Sequence, residues 1–190
     1  MTVQLAPHII STGPLQSPVA DLENELARHH RAAFGWALAC CRWDRSVAED
    51  VLQTSYLKLL DGRARFGGQS EFKTFLFGVI RRTATEDRRR RAIRSALSFA
   101  WRVESMSDGR VDATGLASLV HDETSRELIA ALGRLSARQR DVLHLVFYQD
   151  LSIAAAAGVL GMSVGSARVH YERGKANLRR VLGENGTNAE

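Results

Sequence analysis

An all-α fold, two small helical domains joined by a linker with a helix-turn-helix in the C-terminal one, is what this sequence of 190 residues predicts. Three observations carry the prediction. Apolar residues recur at helical spacing over most of the chain, and strand-like alternation is scarce. Serines stand where helices should begin, at Ser46, Ser70, Ser136, Ser152 and Ser163, each placed to accept a hydrogen bond from a free backbone N–H of the first turn. The periodic stretches fall into two blocks separated by "SALSFAWRVESMSDGRVDATGLASLVHDE", which has mixed polarity and weak periodicity.

In order along the chain, residues 1–20 hold all three prolines and read as a flexible extension. The first block, 21–94, divides into helices at about 22–42, 46–61 and 70–91. The glycine-rich "DGRARFGGQ" (61–69) is the loop before the last of these. A linker is expected over 95–124, the second block over 125–183 and a frayed tail over 184–190. Ser46 with Glu49, and Ser136 with Gln139, match the capping box, in which Glu or Gln three residues on reaches back to the cap's own N–H. The two blocks are not repeats of each other, and each is long enough to bury a small helical core.

Composition limits the function classes. The chain is 45% hydrophobic and 25% charged, ordinary for a soluble globular protein. The N-terminus lacks a basic segment followed by an apolar run, so no signal peptide is expected. No stretch approaches eighteen apolar residues, so no membrane insertion is expected either. The two cysteines are the adjacent Cys40 and Cys41, which gives no disulfide framework and fits a reducing, cytoplasmic location. With His29 and His30 they form adjacent pairs pointing to different sides of a helix, unlike close-spaced zinc ligands. His144 and Asp141 lie within one helical turn with no nucleophile beside them. The sequence carries no catalytic constellation, and neither an enzyme, a metal nor a cofactor is expected.

The net charge of +5 permits a phosphate-rich partner, and its placement decides the matter. Helix Ser152–Leu160 should end at Gly161, which takes the left-handed conformation at no steric cost. Ser163 would then cap the next helix. Ala157 and Ala167 supply the small residues where two helices of a helix-turn-helix cross. In the second helix Val164, Ala167, Tyr171, Gly174, Leu178 and Leu182 form the packing stripe. The opposite edge carries Ser166, Val169, His170, Arg173 and Asn177, flanked by Arg168 and Lys175. A basic helical face is often only solvated, but the turn, the spacing and the cap favour a helix laid in the DNA major groove.

In the first block, Ala48, Val51, Leu52, Ser55 and Leu59 form the packed side of the second helix. Asp50, Gln53, Thr54, Leu57 and Asp61 lie on the other side, where a leucine among polar groups suggests a partner surface. In the third helix Phe72, Phe75, Leu76, Val79, Ile80 and Thr83 form the core stripe. Seven arginines fall between Arg81 and Arg94. Phe77 among the cations Lys73, Arg81, Arg82, Arg88 and Arg89 reads as a ring on which unpaired bases stack while cations hold the backbone.

Taken in order, "AEDVLQTSYLKLL", "SEFKTFLFGVIRRTATEDRRRR" and "LGRLSARQRDVLHLVFYQDLSIAAAAGVLGMSVGSARVHYERGKANLRRVL" resemble a bacterial extracytoplasmic-function (ECF) sigma factor of the sigma-70-like family. The resemblance covers about two-thirds of the chain. It implies a transcription initiation factor whose partners are core RNA polymerase, promoter DNA and an anti-sigma factor. Asp50, Gln53, Thr54, Leu57 and Asp61 would bind polymerase. Lys73, Phe77, Arg81, Arg82, Arg88 and Arg89, with the loop around Phe66, would read and help melt the minus-ten element. Ser163, Ser166, Arg168, Val169, His170, Arg173 and Lys175 would read the minus-thirty-five element. The chain departs from the family's pattern at Ile80-Arg81-Arg82 (commonly Ala-Arg-Asn), at Ala154-Ala155 (commonly acidic) and at Val169-His170 (commonly Ser-Arg). Its promoter preference is therefore its own. A stand-alone helix-turn-helix regulator is the alternative, and the N-terminal arginine helix argues against it.

Overall fold

The computed structural model describes residues 18–101 and 131–186. The N-terminal extension up to residue 17, the linker from 102 onward, the start of the second block and the last four residues lie outside the described residues. Among the described residues the α-helices are α1 (Pro18–Cys40), α2 (Arg45–Leu60), α3 (Phe72–Trp101), α4 (Ala137–Leu143), α5 (Ile153–Leu160) and α6 (Val164–Gly186). A π-helical turn, His144–Tyr148, follows α4 directly. Among the described residues there is no strand.

Helices α1, α2 and α3 pack as a three-helix unit. Leu26, Ala33, Trp36 and Ala37 of α1 are buried against the α2 side that the spacing predicts, Ala48, Val51, Leu52, Ser55 and Leu59. α1 ends where Arg42 and Trp43 adopt φ of 56° and 67°, left-handed backbone that stops the helix. The Trp43 N–H then donates back to the Leu38 carbonyl at 2.9 Å. The cap of α2 is Asp44, not Ser46: its carboxylate accepts from the Val47 N–H at 3.0 Å. Ser46 is already inside the helix, and Glu49 is held by Arg45 at 2.9 Å instead of closing a capping box. Ser70 also fails as a cap, because α3 starts two residues later and its hydroxyl donates to the Glu71 carbonyl at 3.2 Å. At the other end α3 runs on to Trp101, well into the stretch read as linker.

The C-terminal unit follows the sequence closely. Ser136 and Gln139 form the reciprocal capping box at the start of α4. Ser152 caps α5, and the Ser163 hydroxyl accepts from the Ser166 N–H at 3.1 Å. Gly161 stands at φ 60°, ψ 43° and closes α5. Ala157 and Ala167 are buried where α5 and α6 cross. Gly174 lets α6 approach α4, since a Cβ there would lie 3.0 Å from Leu143 Cδ1 and 3.3 Å from Gln139 Cβ. The expected packing stripe is shorter at both ends: Val164 and Leu182 are exposed.

The two units do not stand apart. Buried Ala156, Val159 and Leu160 of α5, with Val142 and Leu145, belong to the same apolar cluster as Trp36, Phe77 and Ile80. The shared core joins α5 to α3 and sets the geometry of the surfaces described next.

Candidate nucleic-acid and partner interfaces

The helix-turn-helix presents the expected edge. Ser163, at the start of α6, and Ser166, Arg168, Val169 and Arg173 on it are exposed. His170 is half-buried, because it stands one helical turn from both Ala167 and Gly174 and so borders the packed stripe instead of opposing it. Asn177, also expected on the outward edge, turns to α4, its amide donating to Gln139 Oε1 at 3.4 Å. The capped N-terminus of α6 and the cationic edge behind it suit phosphate oxygens and base edges. Lys175 differs from the rest. Its ammonium lies 4.5 Å from the Tyr171 ring centroid and 3.0 Å from the Glu172 carboxylate, turned back along the helix.

On α2, Asp50, Gln53, Leu57 and Asp61 are exposed and Thr54 is half-buried. Leu57 is 52% exposed, more than any core role allows. Beside it a groove of about 570 Å³ opens between α1 and α2, floored by Leu52 and walled by His30, Phe34, Tyr56, Leu57 and Leu60. The Tyr56 hydroxyl lies 3.2 Å from His30 Nδ1, and burial pushes its pKa up to about 12, so it stays a neutral hydrogen-bonding group. Asp61 closes α2; the Arg63 guanidinium hydrogen-bonded to its carboxylate at 2.7 Å lowers the carboxyl pKa.

The six expected minus-ten residues divide into two groups. Arg82, Arg88 and Arg89 are exposed on α3. Phe77 is not available to bases: it is fully buried, its ring stacked on Trp36 with centroids 6.1 Å apart. The Trp36 indole N–H donates to the Phe77 carbonyl at 3.1 Å. The side of α3 that periodicity left outside the core stripe is covered by the C-terminal unit, a fact no local pattern could carry. An aromatic that is exposed beside α3 is Phe66, on the preceding loop, 44% exposed and braced against Phe72 and Phe75 at 5.5 and 5.3 Å.

Lys73 and Arg81 face the C-terminal unit as well. The Lys73 ammonium donates to the Gln149 carbonyl at 2.5 Å. The Arg81 guanidinium pairs with Asp141 at 2.7 Å, the two side chains only 21% and 17% exposed. Gln149 is itself buried, its amide donating to the Ala32 carbonyl at 3.4 Å and lying 3.3 Å from His144 Nε2. His144 sits 5.4 Å from the Trp36 ring, and burial lowers its pKa to about 4. Cys40 lies in the same neighbourhood, its thiol pKa raised first by burial and then by Asp141. Asp141 and Gln149 escape sequence reasoning because their partners are sixty or more positions away.

The chain and its fold match known proteins. The family model for sigma-70 region 2 matches residues 26–94, and that for sigma-70 region 4 matches residues 125–178. The ECF RNA polymerase sigma factor SigX of Bacillus subtilis is 32% identical over 142 residues, covering 73% of this chain and 72% of the relative. This chain belongs to the sigma-70 family, as a sigma factor of the ECF group. RNA polymerase sigma factor CarQ of Myxococcus xanthus is 28% identical over 166 residues, covering 85% of this sigma factor and 89% of CarQ. Two solved structures share its fold. The sigma factor RpoE from Bartonella quintana, in complex with the anti-sigma factor NepR, superimposes with a TM-score of 0.66 at 23% identity, covering 86% of this chain and 97% of that one. CnrH, in complex with the cytosolic domain of CnrY, gives a TM-score of 0.56 at 22% identity, covering 86% and 88%. Region 2 thus corresponds to α1–α3, and region 4 to α4–α6 with the π-helical turn. As an ECF sigma factor the chain binds core RNA polymerase and directs it to promoters. Among the described residues no helix is long and apolar enough to cross a membrane.

Proposed function

We propose the following division of labour for this sigma factor. The edge of α6 formed by Ser163, Ser166, Arg168, Val169, His170 and Arg173 reads the upstream promoter element in the major groove. In this reading Arg173 meets a guanine edge bidentately and Val169 a thymine methyl. The exposed side of α2, with Leu57 among Asp50, Gln53, Thr54 and Asp61, docks on core polymerase, and the groove beside Leu57 takes an apolar side chain from it. Arg82, Arg88 and Arg89 hold the strand backbone near minus ten. Phe66, rather than Phe77, offers a ring to an unpaired base. The chain supplies positioning and strand-opening surfaces while the polymerase performs the chemistry. It acts in the cytoplasm, where an anti-sigma factor can hold it.

The observation that supports this reading is that Ser163, Ser166, Arg168, Val169 and Arg173 are exposed while Ala167 and Gly174 are packed on α5 and α4. Transcription in vitro with purified core polymerase and a library of promoter fragments tests it. Transcripts starting from a shared pair of upstream and minus-ten elements are expected. Random start sites, with no dependence on the α6 edge, would overturn it.

A further inference from the structure

The groove between α1 and α2 suits an uncharged occupant. Leu52 floors it, and Leu57 and Leu60 stand at its edge, 52% and 43% exposed. The charged and polar groups around it are matched among themselves. Arg45 is paired with Glu49 at 2.9 Å, and its guanidinium lies 5.8 Å from the Phe34 ring centroid. His30 Nδ1 is 3.2 Å from the Tyr56 hydroxyl. A charged ligand gains little there, whereas an apolar one covers the two exposed leucines. The chain itself carries such a segment next to α1. None of residues 1–17 is Asp, Glu, Lys or Arg, in a chain that is 25% charged, while Val3, Leu5, Ala6, Ile9 and Ile10 gather within a few positions. A tail whose composition keeps it in water is rich in charge and poor in such residues. This segment gains by covering apolar surface instead. The distances allow it to do so on α2. α1 begins at Pro18, and His30 and Phe34 stand 12 and 16 positions further on, about 18 and 24 Å along the axis. The eight steps from Pro18 back to Ile10 span at most about 26–29 Å when extended. Folded back along α1, Ile9 and Ile10 reach the groove, and Leu5 has slack to enter it.

We propose that residues 3–10 seat in this groove in the free chain, Leu5, Ile9 and Ile10 covering Leu52, Leu57 and Leu60, as a plug that competes with polymerase for the α2 face. The segment has no charge to pair, so apolar burial holds it, and the Gln53 amide on the groove wall can bond its backbone. Such a contact is reversible, because only a few aliphatic side chains are buried against the entropy of ordering the segment. The plug keeps Leu57 and Leu60 from other apolar surfaces and lowers the affinity for polymerase, without touching the α6 edge or the exposed arginines of α3. This inference rests on the reading that the α2 side with Leu57 docks on polymerase.

The test uses the full-length chain with the photocrosslinker p-benzoylphenylalanine in place of Ile9, irradiated without polymerase and mapped by peptide mass spectrometry. Crosslinks within one chain to the stretch Leu52–Leu60 or to His30 and Phe34 are expected, and added core polymerase should suppress them. Crosslinks to Phe66 and Phe72, to Phe147 and Tyr148, or between two copies would overturn the plug, and so would their complete absence. A second arm measures core polymerase binding by the full-length triple variant Leu5→Ser, Ile9→Ser, Ile10→Ser. A plug seated in roughly nine chains of ten cuts the competent fraction about tenfold, so the variant should bind about tenfold more tightly. Unchanged affinity, beside a Leu57→Asp variant that no longer binds, overturns the plug and leaves α2 as the docking face. If Leu57→Asp binds polymerase as well as the native chain does, the reading of α2 fails instead.

Discussion

Leu57 shows how much hangs on the facing of one side chain. Its neighbours Ser55 and Leu59 are buried, whereas it is 52% exposed among polar groups. Leu57→Asp should abolish co-elution with core polymerase, a loss of about 2 kcal/mol or more for an interface anchor, while the melting temperature of the free chain stays within a few degrees. Arg173 poses the equivalent question for DNA. Replacing it with alanine should cost about 1–3 kcal/mol at one position of the upstream element, read by competition among promoter variants. A uniform loss across all variants would make it a phosphate contact instead. Gly174 is a packing residue, with Leu143 and Gln139 pressed to 3.0–3.3 Å from where a Cβ would sit. Gly174→Val should destabilise region 4 by about 1–3 kcal/mol by overpacking, seen as a lower urea midpoint.

The helices illustrate which local signals are reliable. Caps written in a glycine turn or in a reciprocal Ser–Gln pair form as expected at α4, α5 and α6, because both partners lie within four residues of each other. Ser136→Ala should cost about 1 kcal/mol, measurable as earlier thermal melting of region 4. The failures at Ser46 and Ser70 have a common cause. A nearby competitor decides where the helix begins: Asp44 offers a charged acceptor two residues earlier, and after Gly67 and Gly68 the chain enters α3 only at Phe72. α3 also shows why a helix outruns its apolar stripe. Beyond Ala84 it is sustained by residues of good intrinsic propensity and by pairs such as Arg91 with Asp87 at 2.7 Å. α2 and α3 are tied across the unit by Lys58, whose ammonium reaches Glu86 at 2.7 Å and Thr83 at 3.0 Å.

For the molecule as a whole, the junction of regions 2 and 4 governs the response to pH. His144 is buried there between Trp36, Tyr148 and Gln149, with its pKa lowered to about 4 by burial, against 6.5 in an unfolded chain. A lowered histidine pKa means that the unfolded chain binds the extra proton first. Stability is therefore full above pH 6.5 and declines as the pH falls from 6.5 towards 4, by up to about 1.4 kcal/mol per pH unit. Urea midpoints measured between pH 7 and pH 5 should fall for the native chain and stay flatter for His144→Phe. Glu86, whose pKa is lowered by Lys58, acts in the same direction only at lower pH, so the two contributions separate.

Much of this sigma factor is written locally. Helical class, the helix-turn-helix with its Gly161 turn and small crossing residues, the buried and exposed sides of α2 and the outward edge of α6 all follow from spacing within a few turns. Burial of one helical stripe fixes the direction of the rest. What spacing could not supply is which residues on the far side of α3 meet another part of the chain. Phe77, Lys73 and Arg81 look outward by periodicity, yet one is buried and two are engaged, because Trp36, Gln149 and Asp141 reach them from distant positions. Long-range packing of two amphipathic units has no period in the sequence. It depends on the shape and charge of surfaces that exist only once both units have folded.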